Sequence, residues 1–159
     1  MANPTSQKLS IIPARAQDIA MVAEKWAILD SHSAEPFGGL AETADERRLA
    51  LIRTTINSDN AGIWIAQIES KPVGIIALHI YERPAVLLPC CGVIHGLWVA
   101  PEHRRKGIAQ QLVAHTKQIA RERNAHQLQV AWHPSHEDAA AFWLAQQSLP
   151  YETAALIKL

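Results

Sequence analysis

The sequence is poor in the residues that build disulfide frameworks and metal centres. It has two cysteines, Cys90 and Cys91, which are neighbours in the chain. Adjacent cysteines neither form a disulfide framework nor match the spacing of a metal site, so we interpret them as buried thiols of a reducing compartment. Among the histidines, His133 and His136 are interrupted by Pro134, and no third ligand stands at a recognisable spacing. We therefore expect no metal.

The sequence also lacks an excess of charge of either sign. Fifteen basic residues balance fifteen acidic ones, so no overall field attracts nucleic acid or an anionic membrane. Aromatic residues are not interleaved with basic ones, as they are in many proteins that bind single strands. A module that binds nucleic acid or a macromolecular partner is therefore the least favoured class of function, and we expect neither a nucleic-acid nor a membrane partner.

Long apolar runs are missing as well. The stretch at 84–101 contains Pro89 and His95, which interrupt it before it is long enough to cross a bilayer. The first seven residues are polar and no apolar segment follows them, so the sequence predicts no signal peptide. Together with the unpaired cysteines, these absences predict a cytoplasmic protein.

Hydrophobic residues make up 48% of the 159 positions, which is enough for one domain with a substantial core. We predict a single domain over residues 1–159. Apolar residues that alternate predict strands, and those that recur every three to four residues predict helices. The resulting order is β-α-α-β-β-β-α-β-α-β. Strands are expected near 9–13, 62–69, 73–81, 92–99, 128–132 and 151–159, and helices near 17–30, 43–56, 107–124 and 135–147.

The connections between these elements predict the kind of sheet. Most are hairpin-like, with Ser70-Lys71 joining the second and third strands. Thr43-x-x-Glu46 and Ser135-x-x-Asp138 are typical of helix starts. The strand, helix and strand of residues 97–132 form a crossover that should be parallel and right-handed. The sequence therefore predicts an α/β fold with a central mixed sheet and about four helices on its two faces.

The most informative stretch runs from an apolar strand into a helix through a basic turn. Pro101 ends the strand, and residues 104–106 read Arg-Arg-Lys before Gly107. The first turn of a helix has free backbone N–H groups and the positive end of the helix dipole, and a glycine lets a ligand approach the backbone. We interpret the stretch as a pyrophosphate-binding turn. The alternative is a solvated basic turn that only caps a helix.

The spacing of this turn resembles a known signature. Arg104-x-x-Gly107-x-Ala109 is similar to the acyl-CoA signature Arg/Gln-x-x-Gly-x-Gly/Ala of the GCN5-related N-acetyltransferase (GNAT) superfamily. It matches neither a P-loop nor the three-glycine dinucleotide fingerprint. The order of elements resembles that of the family from end to end, so the resemblance covers essentially the whole chain and implies the GNAT acyl-CoA N-acyltransferase fold.

A second local similarity lies on the predicted helix after the crossover. Ala139-x-x-Phe142-Trp143, followed by Pro150-Tyr151, resembles small bacterial members of the family. The family often has Tyr where Trp143 stands, and it usually has Asn at the place of His136. The resemblance implies acetyl-CoA as cosubstrate, with the strand before the turn pairing with pantetheine and the turn holding the pyrophosphate. The cofactor-binding residues so implied are Leu97, Trp98, Val99, Arg104, Arg105, Lys106, Gly107, Ile108, Ala109, Gln110, His136 and Trp143.

Proton transfer is harder to assign from the sequence. Many relatives have a Glu on the pantetheine-binding strand where this chain has His95, and a histidine has a suitable pKa for a general base. The alternative is a partly buried, hydrogen-bonded strand histidine. Trp143 cannot protonate the departing thiolate as a Tyr can, because an indole N–H is not a useful acid. Other candidate proton-transfer groups are His32, Glu35 and Glu82, which lie on loops expected to border the acceptor pocket.

The resemblance implies an acetyl-CoA-dependent N-acetyltransferase. The acceptor would be a primary amine of a small molecule or a protein, attacking the thioester directly in a ternary complex. A non-catalytic acyl-CoA-binding sensor on the same fold is the alternative, since the usual Tyr is missing. Relatives often pair through late strands, so a homodimer is also implied.

Overall fold

The fold was analysed in a computed structural model, which describes residues 8–133 and 135–157. Within these residues five strands form one sheet in the order β1 to β5, antiparallel except for the parallel pair β4–β5. The predicted mixed α/β sheet with about four helices is confirmed. No helix in the described ranges has the length and hydropathy needed to cross a membrane. The elements are β1 (Leu9–Pro13), α1 (Ile19–Ser33), α2 (Ala44–Ile56), β2 (Ala61–Ile68), β3 (Lys71–Glu82), β4 (Cys90–Val99), α3 (Ile108–Glu122), β5 (Gln127–Val130) and α4 (Glu137–Ala145).

A tight turn joins β2 to β3. Glu69 and Ser70 both have positive φ, 50° and 65°, and Ile68 pairs directly with Lys71. Two left-handed residues in a row match the twist of an antiparallel pair, which is why two-residue hairpins favour them. The hairpin is confirmed, with its turn one residue earlier than the sequence predicted.

The sheet buries side chains on both faces, so helices cover both. Ile75 and Ile76 are neighbours on β3, and each is fully buried in a different core. This explains why β2 and β3 are almost continuously apolar rather than alternating. The buried residues of the α3/α4 core are Trp64, Ala66, Val73, Ile76, Leu78, Ile80, Ile94, Val99, Ile108, Leu112, Val113, Ala120 and Trp143. Those of the α1/α2 core are Ala14, Val22, Trp26, Ile52, Ile63, Ile65, Ile75, Ala77, Trp98 and Ala100.

Close packing of α1 on β4 depends on a glycine. A Cβ built on Gly96 would lie 3.1 Å from Leu29 Cδ1 and 3.2 Å from the ring of Trp26. A larger residue at this position would require the Leu29 and Trp26 side chains of α1 to shift. Gly96 therefore sets how closely the C-terminal half of α1 approaches the middle of β4.

Helix starts differ from the predicted capping pattern. Thr43 is the residue before α2, but its side chain makes no capping bond. α4 begins after His136 rather than after Ser135, and the Ser135 hydroxyl lies 2.7 Å from His133 Nδ1 instead. Local competition for the hydroxyl explains this, since Ser side chains readily bond to nearby groups outside the helix.

The predicted last strand is wrong within the residues that the structure describes. Residues 151–157 form no strand and are exposed throughout, and positions 158 and 159 lie outside the described residues. Apolar alternation makes a strand only where a partner edge is in reach, and residues 151–157 pair with no strand edge in the described part of the chain. β5 is also shorter than predicted and ends at Val130, before Trp132.

Candidate functional site

The parallel pair at the end of the sheet opens after four residues. β4 pairs with β5 from Cys91 to Ile94, whose partner is Val130. β5 ends there, whereas β4 continues to Val99 and stays paired with β3 on its other side. Residues 95–99 therefore have an unpaired edge towards β5. Backbone groups on such an edge can pair with an extended ligand.

A β-bulge lies where the two strands part. Ala77 pairs with Gly96 and Leu78 pairs with Ile94, so His95 is the extra residue on β4 and has no partner on β3. A bulge redirects a side chain and is common beside functional sites. The bulge thus positions His95 at the first residue of the open edge.

His95 faces a second histidine on the α1/α2 side of the sheet. His79 lies between Leu78 and Ile80, which both belong to the α3/α4 core, so its side chain takes the opposite face. The rings of His79 and His95 are 6.0 Å apart between centroids. Partial burial, and then the neighbouring His79, lower the pKa of His95 below its usual 6.5. His95 is therefore mainly neutral near pH 7, the form that accepts a proton.

Beyond the open edge, the chain turns into α3 through residues 100–107. Ala100 N–H donates to the Val73 carbonyl at 2.9 Å, which fixes the end of β4 beside β3. Arg104 Nε donates to the Val99 carbonyl at 3.1 Å. The Arg104 side chain is thus held against the end of the strand, although Arg104, like Arg105 and Lys106, is exposed to solvent.

The start of α3 presents a run of free backbone donors. The amides of residues 105–110 donate to no acceptor in the described part of the chain. Gly107 has φ +78° and Arg105 has φ +59°, so the turn uses two left-handed residues. A Cβ added at Gly107 would meet nothing closer than Gln110 Oε1 at 3.6 Å. Consecutive amides of this kind, at the positive end of a helix dipole, form a concave anion site.

The side chains of the open edge point to different places. Leu97 packs against the α3/α4 core, and Trp98 is buried in the α1/α2 core beneath Lys25, whose Nζ lies 5.4 Å from the ring centroid. Trp98 Nε1 is buried and has no hydrogen-bond partner among the described residues. A ligand along this edge would therefore meet the backbone of Trp98 rather than its indole.

Two further sequence-predicted residues are Trp143 on α4 and His136 just before it. Trp143 is buried against the α3/α4 core, with its ring 5.0 Å from that of Phe142. His136 precedes α4, and its ring centroid is 6.3 Å from that of His32 and 5.5 Å from that of His133. His32 lies on α1, so the end of α1 and the start of α4 approach each other beyond the end of β5.

The other two candidates, Glu35 and Glu82, are both exposed. Glu35 is exposed and lines a groove of about 480 Å³ with Ser31, Ala34, Gly38, Gly39 and Leu40. Glu82 ends β3 and is also exposed. Among the residues that the structure describes, no group of three or more His, Cys, Asp or Glu is arranged to hold a metal ion.

Sequence reasoning missed two features of this site. The proximity of the His79 and His95 rings depends on the register of β3 and β4 and on the bulge, neither of which has a local signal. The approach of His32 to His136 joins residues about a hundred positions apart. The free amides at residues 105–110 were found because their signal, a basic turn with glycine before a helix, is local.

The sheet order, the opening between β4 and β5 and the turn into α3 are those of an acyl-CoA N-acyltransferase fold. A family model described as the acetyltransferase (GNAT) family matches residues 26–147. The chain belongs to this family.

Individual relatives agree with this assignment. An uncharacterized N-acetyltransferase from Archaeoglobus fulgidus is 32% identical over 98 residues, which cover 57% of this chain and 63% of that protein. The match thus spans less than two thirds of the relative's length. An aminoglycoside N-acetyltransferase in complex with CoA is similar in structure, with a TM-score of 0.80, 16% identity and 99% of each chain covered. A ribosomal-protein-alanine N-acetyltransferase from Brucella melitensis has a TM-score of 0.72 and 18% identity, with 96% of this chain and 99% of that chain covered.

Proposed function

We propose that the protein is an acetyl-CoA-dependent N-acetyltransferase that transfers an acetyl group to a primary amine of a small molecule or protein. The observation that carries this proposal is the run of free amides at residues 105–110, directly after the unpaired edge of β4. The free amides match a diphosphate, and the unpaired edge matches the amide-containing pantetheine arm that is attached to the diphosphate in coenzyme A. Their order along one strand and turn is the order of these groups in coenzyme A.

Acetyl-CoA fits the residues present as a cosubstrate. The backbone of Leu97, Trp98 and Val99 would pair with pantetheine, and the amides around Gly107 would hold the diphosphate. Arg105 and Lys106 add exposed positive charge, while Arg104 fixes the strand end through the Val99 carbonyl. The proposed cofactor-binding residues are Leu97, Trp98, Val99, Arg104, Arg105, Lys106, Gly107, Ile108, Ala109, Gln110 and His136, with Trp143 supporting them from the core.

The proposed reaction is direct attack in a ternary complex. The amine nitrogen bonds to the thioester carbonyl carbon, and the His95 imidazole takes the proton that the amine loses. The carbon–sulfur bond then breaks, and the coenzyme A thiolate takes a proton from water. Trp143 is not the acid, because its indole is buried and does not ionise at useful pH. His95 is supported as the base by its place at the bulge and by its lowered pKa.

Other proton-transfer groups are less well placed. Glu35 is exposed in the segment after α1, and Glu82 is exposed at the end of β3, where it pairs with Cys90 rather than with a residue of the open edge. His32 lies beside His136, near the start of α4, rather than beside the bulge on β4. We assign these three to the walls of the acceptor cleft.

The acceptor proposal rests on the relatives and on the groove beside α1. Structural relatives include an aminoglycoside N-acetyltransferase, whose acceptor is a small molecule, and a ribosomal-protein-alanine N-acetyltransferase, whose acceptor is a protein. The groove of about 480 Å³ at Ser31–Leu40 is of a size that takes a small molecule. We therefore place a small-molecule amine ahead of a protein amine.

The second candidate function is a non-catalytic acyl-CoA sensor. It is favoured by the sequence of α4, which contains no Tyr, so no phenol on this helix can protonate the thiolate. A thiol-release assay with acetyl-CoA and a panel of small amines and peptides separates the two. An enzyme releases coenzyme A only when an acceptor is present, and a sensor binds acetyl-CoA but releases none with any of them. A cytoplasmic location, independence of metal and a homodimer complete the proposal.

A further inference from the structure

The α1/α2 core covers only part of its face of the sheet. The strand residues in that core come from β2, from β3 up to Ala77 and from β4 at Trp98. Among the described residues, none of its buried members comes from β3 after Ala77, from β4 before Trp98 or from β5. His79 and His95 lie in this remaining area and are accessible to solvent. A ligand can therefore reach this part of the face without displacing the core.

Side chains from three strands form this uncovered area, which we call the open floor. Its members are His79, Tyr81, Val93, His95 and Gln129. Leu128 and Val130 pack against the α3/α4 core, so Gln129 between them takes the α1/α2 face. Val93 pairs with both His79 and Gln129, which places these three residues in one row across β3, β4 and β5.

Gln129 has a buried donor without an acceptor. The Tyr81 hydroxyl donates to Gln129 Oε1 at 2.6 Å, across the intervening β4. Gln129 Nε2 is buried and has no hydrogen-bond partner among the described residues. Buried polar groups are nearly always paired in folded proteins, so an unpaired one indicates an acceptor that something else supplies. Because the hydroxyl occupies Oε1, the free end of the amide is its NH₂ group, which requires an acceptor such as a ligand oxygen.

Arg83 lies beside the same tyrosine. Its guanidinium carbon is 5.5 Å from the centroid of the Tyr81 ring, and its backbone N–H donates to the Pro89 carbonyl at 2.7 Å. No carboxylate pairs with Arg83 in the described part of the chain. A guanidinium is a planar set of donors with a single charge, which matches the two oxygens and single charge of a carboxylate. Arg83 and Gln129 thus offer donors for one anionic group near Tyr81.

The candidate base and this pair of donors lie at opposite ends of the open floor. His79 and Tyr81 are two residues apart on β3, which is about 7 Å along a strand. The His95 ring lies 6.0 Å from the His79 ring between centroids, on the side away from Tyr81. An amine beside His95 and an anion bound near Tyr81 are therefore separated by about 7–10 Å.

We propose that the acceptor is a primary amine whose chain ends in a carboxylate at this distance, and that Arg83 and Gln129 bind the carboxylate. This inference rests on the acetyltransferase function proposed above. Tyr81 is a positioning residue, because it holds Gln129 Oε1 and lies against the Arg83 guanidinium. A diamine would bring a second cation to Arg83, so the same arrangement disfavours it.

The carboxylate takes no part in the bond changes. The amine nitrogen forms its bond to the acetyl carbon, the carbon–sulfur bond breaks, and the amine proton passes to His95, as described above. The products are an N-acetylated amino carboxylate and coenzyme A. Binding of the carboxylate end contributes by orienting the amine towards the thioester.

The test is calorimetry of ε-aminocaproate on the protein saturated with coenzyme A, which has no acetyl group to transfer. The carboxamide of ε-aminocaproate is the matched ligand, since it keeps the amine and the chain length but has no charge at the far end. We expect the carboxylate to bind about tenfold more tightly than the carboxamide. Arg83→Gln should remove most of that preference. Arg121→Gln, the control, removes an equally exposed charge from α3 on the other face and should keep it.

Tyr81→Phe and Gln129→Leu give a second readout. Each should weaken binding of ε-aminocaproate severalfold and leave that of the carboxamide nearly unchanged, whereas a merely structural role would weaken both. Absence of ε-aminocaproate binding, equal affinity for the two ligands in the wild type, or a preference that survives Arg83→Gln would overturn the proposal.

Thiol release from acetyl-CoA separates this proposal from the proposed function. A protein that prefers the carboxylate in calorimetry but releases no coenzyme A with any amine keeps the carboxylate site and loses the acetyltransferase function. Release with ε-aminocaproate and its carboxamide at equal kcat/KM keeps the acetyltransferase function and overturns the carboxylate site.

Discussion

His95 is a single residue whose chemistry depends on a neighbour far away in the sequence. Its pKa is lowered by partial burial and by His79, 6.0 Å away between ring centroids. A base with a lowered pKa is deprotonated over a wider pH range. The proposed enzyme should therefore hold its kcat/KM on the acid side down to a pH below the usual histidine value of 6.5.

His79→Gln tests this dependence. The change removes the neighbouring histidine, the second cause after burial that lowers the pKa of His95, so the acid limb of the pH profile of kcat/KM should move to higher pH, towards 6.5. His95→Gln should abolish that limb and lower turnover, with little effect on acetyl-CoA affinity. His126→Gln is the control, since His126 lies immediately before β5 and not beside the bulge. An acid limb that stays in place in His95→Gln would exclude His95 as the base.

Gly107 is the residue on which the anion site depends. In Gly107→Glu a non-glycine residue must adopt a left-handed backbone conformation, which costs about 1–2 kcal/mol. The substitution also places a carboxylate among the amides that would bind the anionic ligand. We expect acetyl-CoA affinity, measured by calorimetry, to fall by at least about 100-fold, a loss of ~2.7 kcal/mol. Gly38→Glu is matched to it, since Gly38 has φ +86° and open space around its Cα. That control should lose similar stability and keep its affinity; equal affinity in the two variants would put the diphosphate elsewhere.

These residues differ in how far the sequence alone could predict them. Gly107 and its basic neighbours were predicted because the strand, turn and helix start lie within about a dozen residues. The sequence does not show which core the Trp98 side chain joins. Alternation along a strand separates two faces, but it does not say which core packs against each face. The proximity of His79 and His95 could not be predicted from the sequence. A one-residue bulge changes which face of the sheet every later side chain on β4 takes.

At the scale of elements, a buried arginine joins α1 to α2 on one face of the sheet. Arg48 on α2 is 6% exposed, and its Nε donates to Asp30 Oδ2 on α1 at 2.7 Å. Its Nη1 donates to Asp45. Burial lowers the pKa of Arg48, but the bonds to Asp30 and Asp45 outweigh it and raise that pKa overall. The pair of helices that borders the proposed acceptor groove is thus held by a bridge as well as by apolar contacts.

Asp30→Asn should weaken this bridge more than Asp45→Asn does. Asp30 is the interhelical partner, with 34% of its side chain exposed, while the Asp45 side chain is 91% exposed. Urea denaturation should show a loss of about 1–3 kcal/mol for Asp30→Asn, because a buried charge loses its ionic partner. Asp45→Asn should cost about 0–1 kcal/mol, as for other exposed pairs. Equal losses would mean that the bridge does not depend on burial.

Most helices and strands could be predicted from the sequence, and the strand predictions that were wrong share one cause. Helices α1 and α3 follow from stripes such as Ile108, Leu112 and Thr116, all of which are buried. The segment after α4 alternates as a strand does but pairs with no strand edge in the described part of the chain. β5 stops at Val130 although Trp132 continues the alternation. Periodicity predicts whether a segment favours a strand or a helix, whereas the pairing of a strand depends on where the neighbouring strand ends.

At the scale of the whole molecule, the groups proposed to bind acetyl-CoA are donors that the protein leaves unpaired, in a chain without net charge. A ligand that pairs with them in the folded state alone raises the stability of the entire domain. At a concentration a hundred times its Kd, acetyl-CoA should add about 2.7 kcal/mol, which raises Tm by roughly 5–10 °C for a domain of this size. Differential scanning fluorimetry measures this shift directly.

Acetyl-pantetheine is the matched ligand, because it has the thioester and the amide arm but lacks the diphosphate. At the same concentration it should raise Tm by a small fraction of the acetyl-CoA shift, since the amides at residues 105–110 stay unpaired. Added salt should weaken acetyl-CoA binding only in part: ions screen the exposed Arg105 and Lys106, whereas the backbone amides bind at contact distance. If acetyl-pantetheine stabilised the protein as much as acetyl-CoA, the start of α3 would not be the diphosphate site.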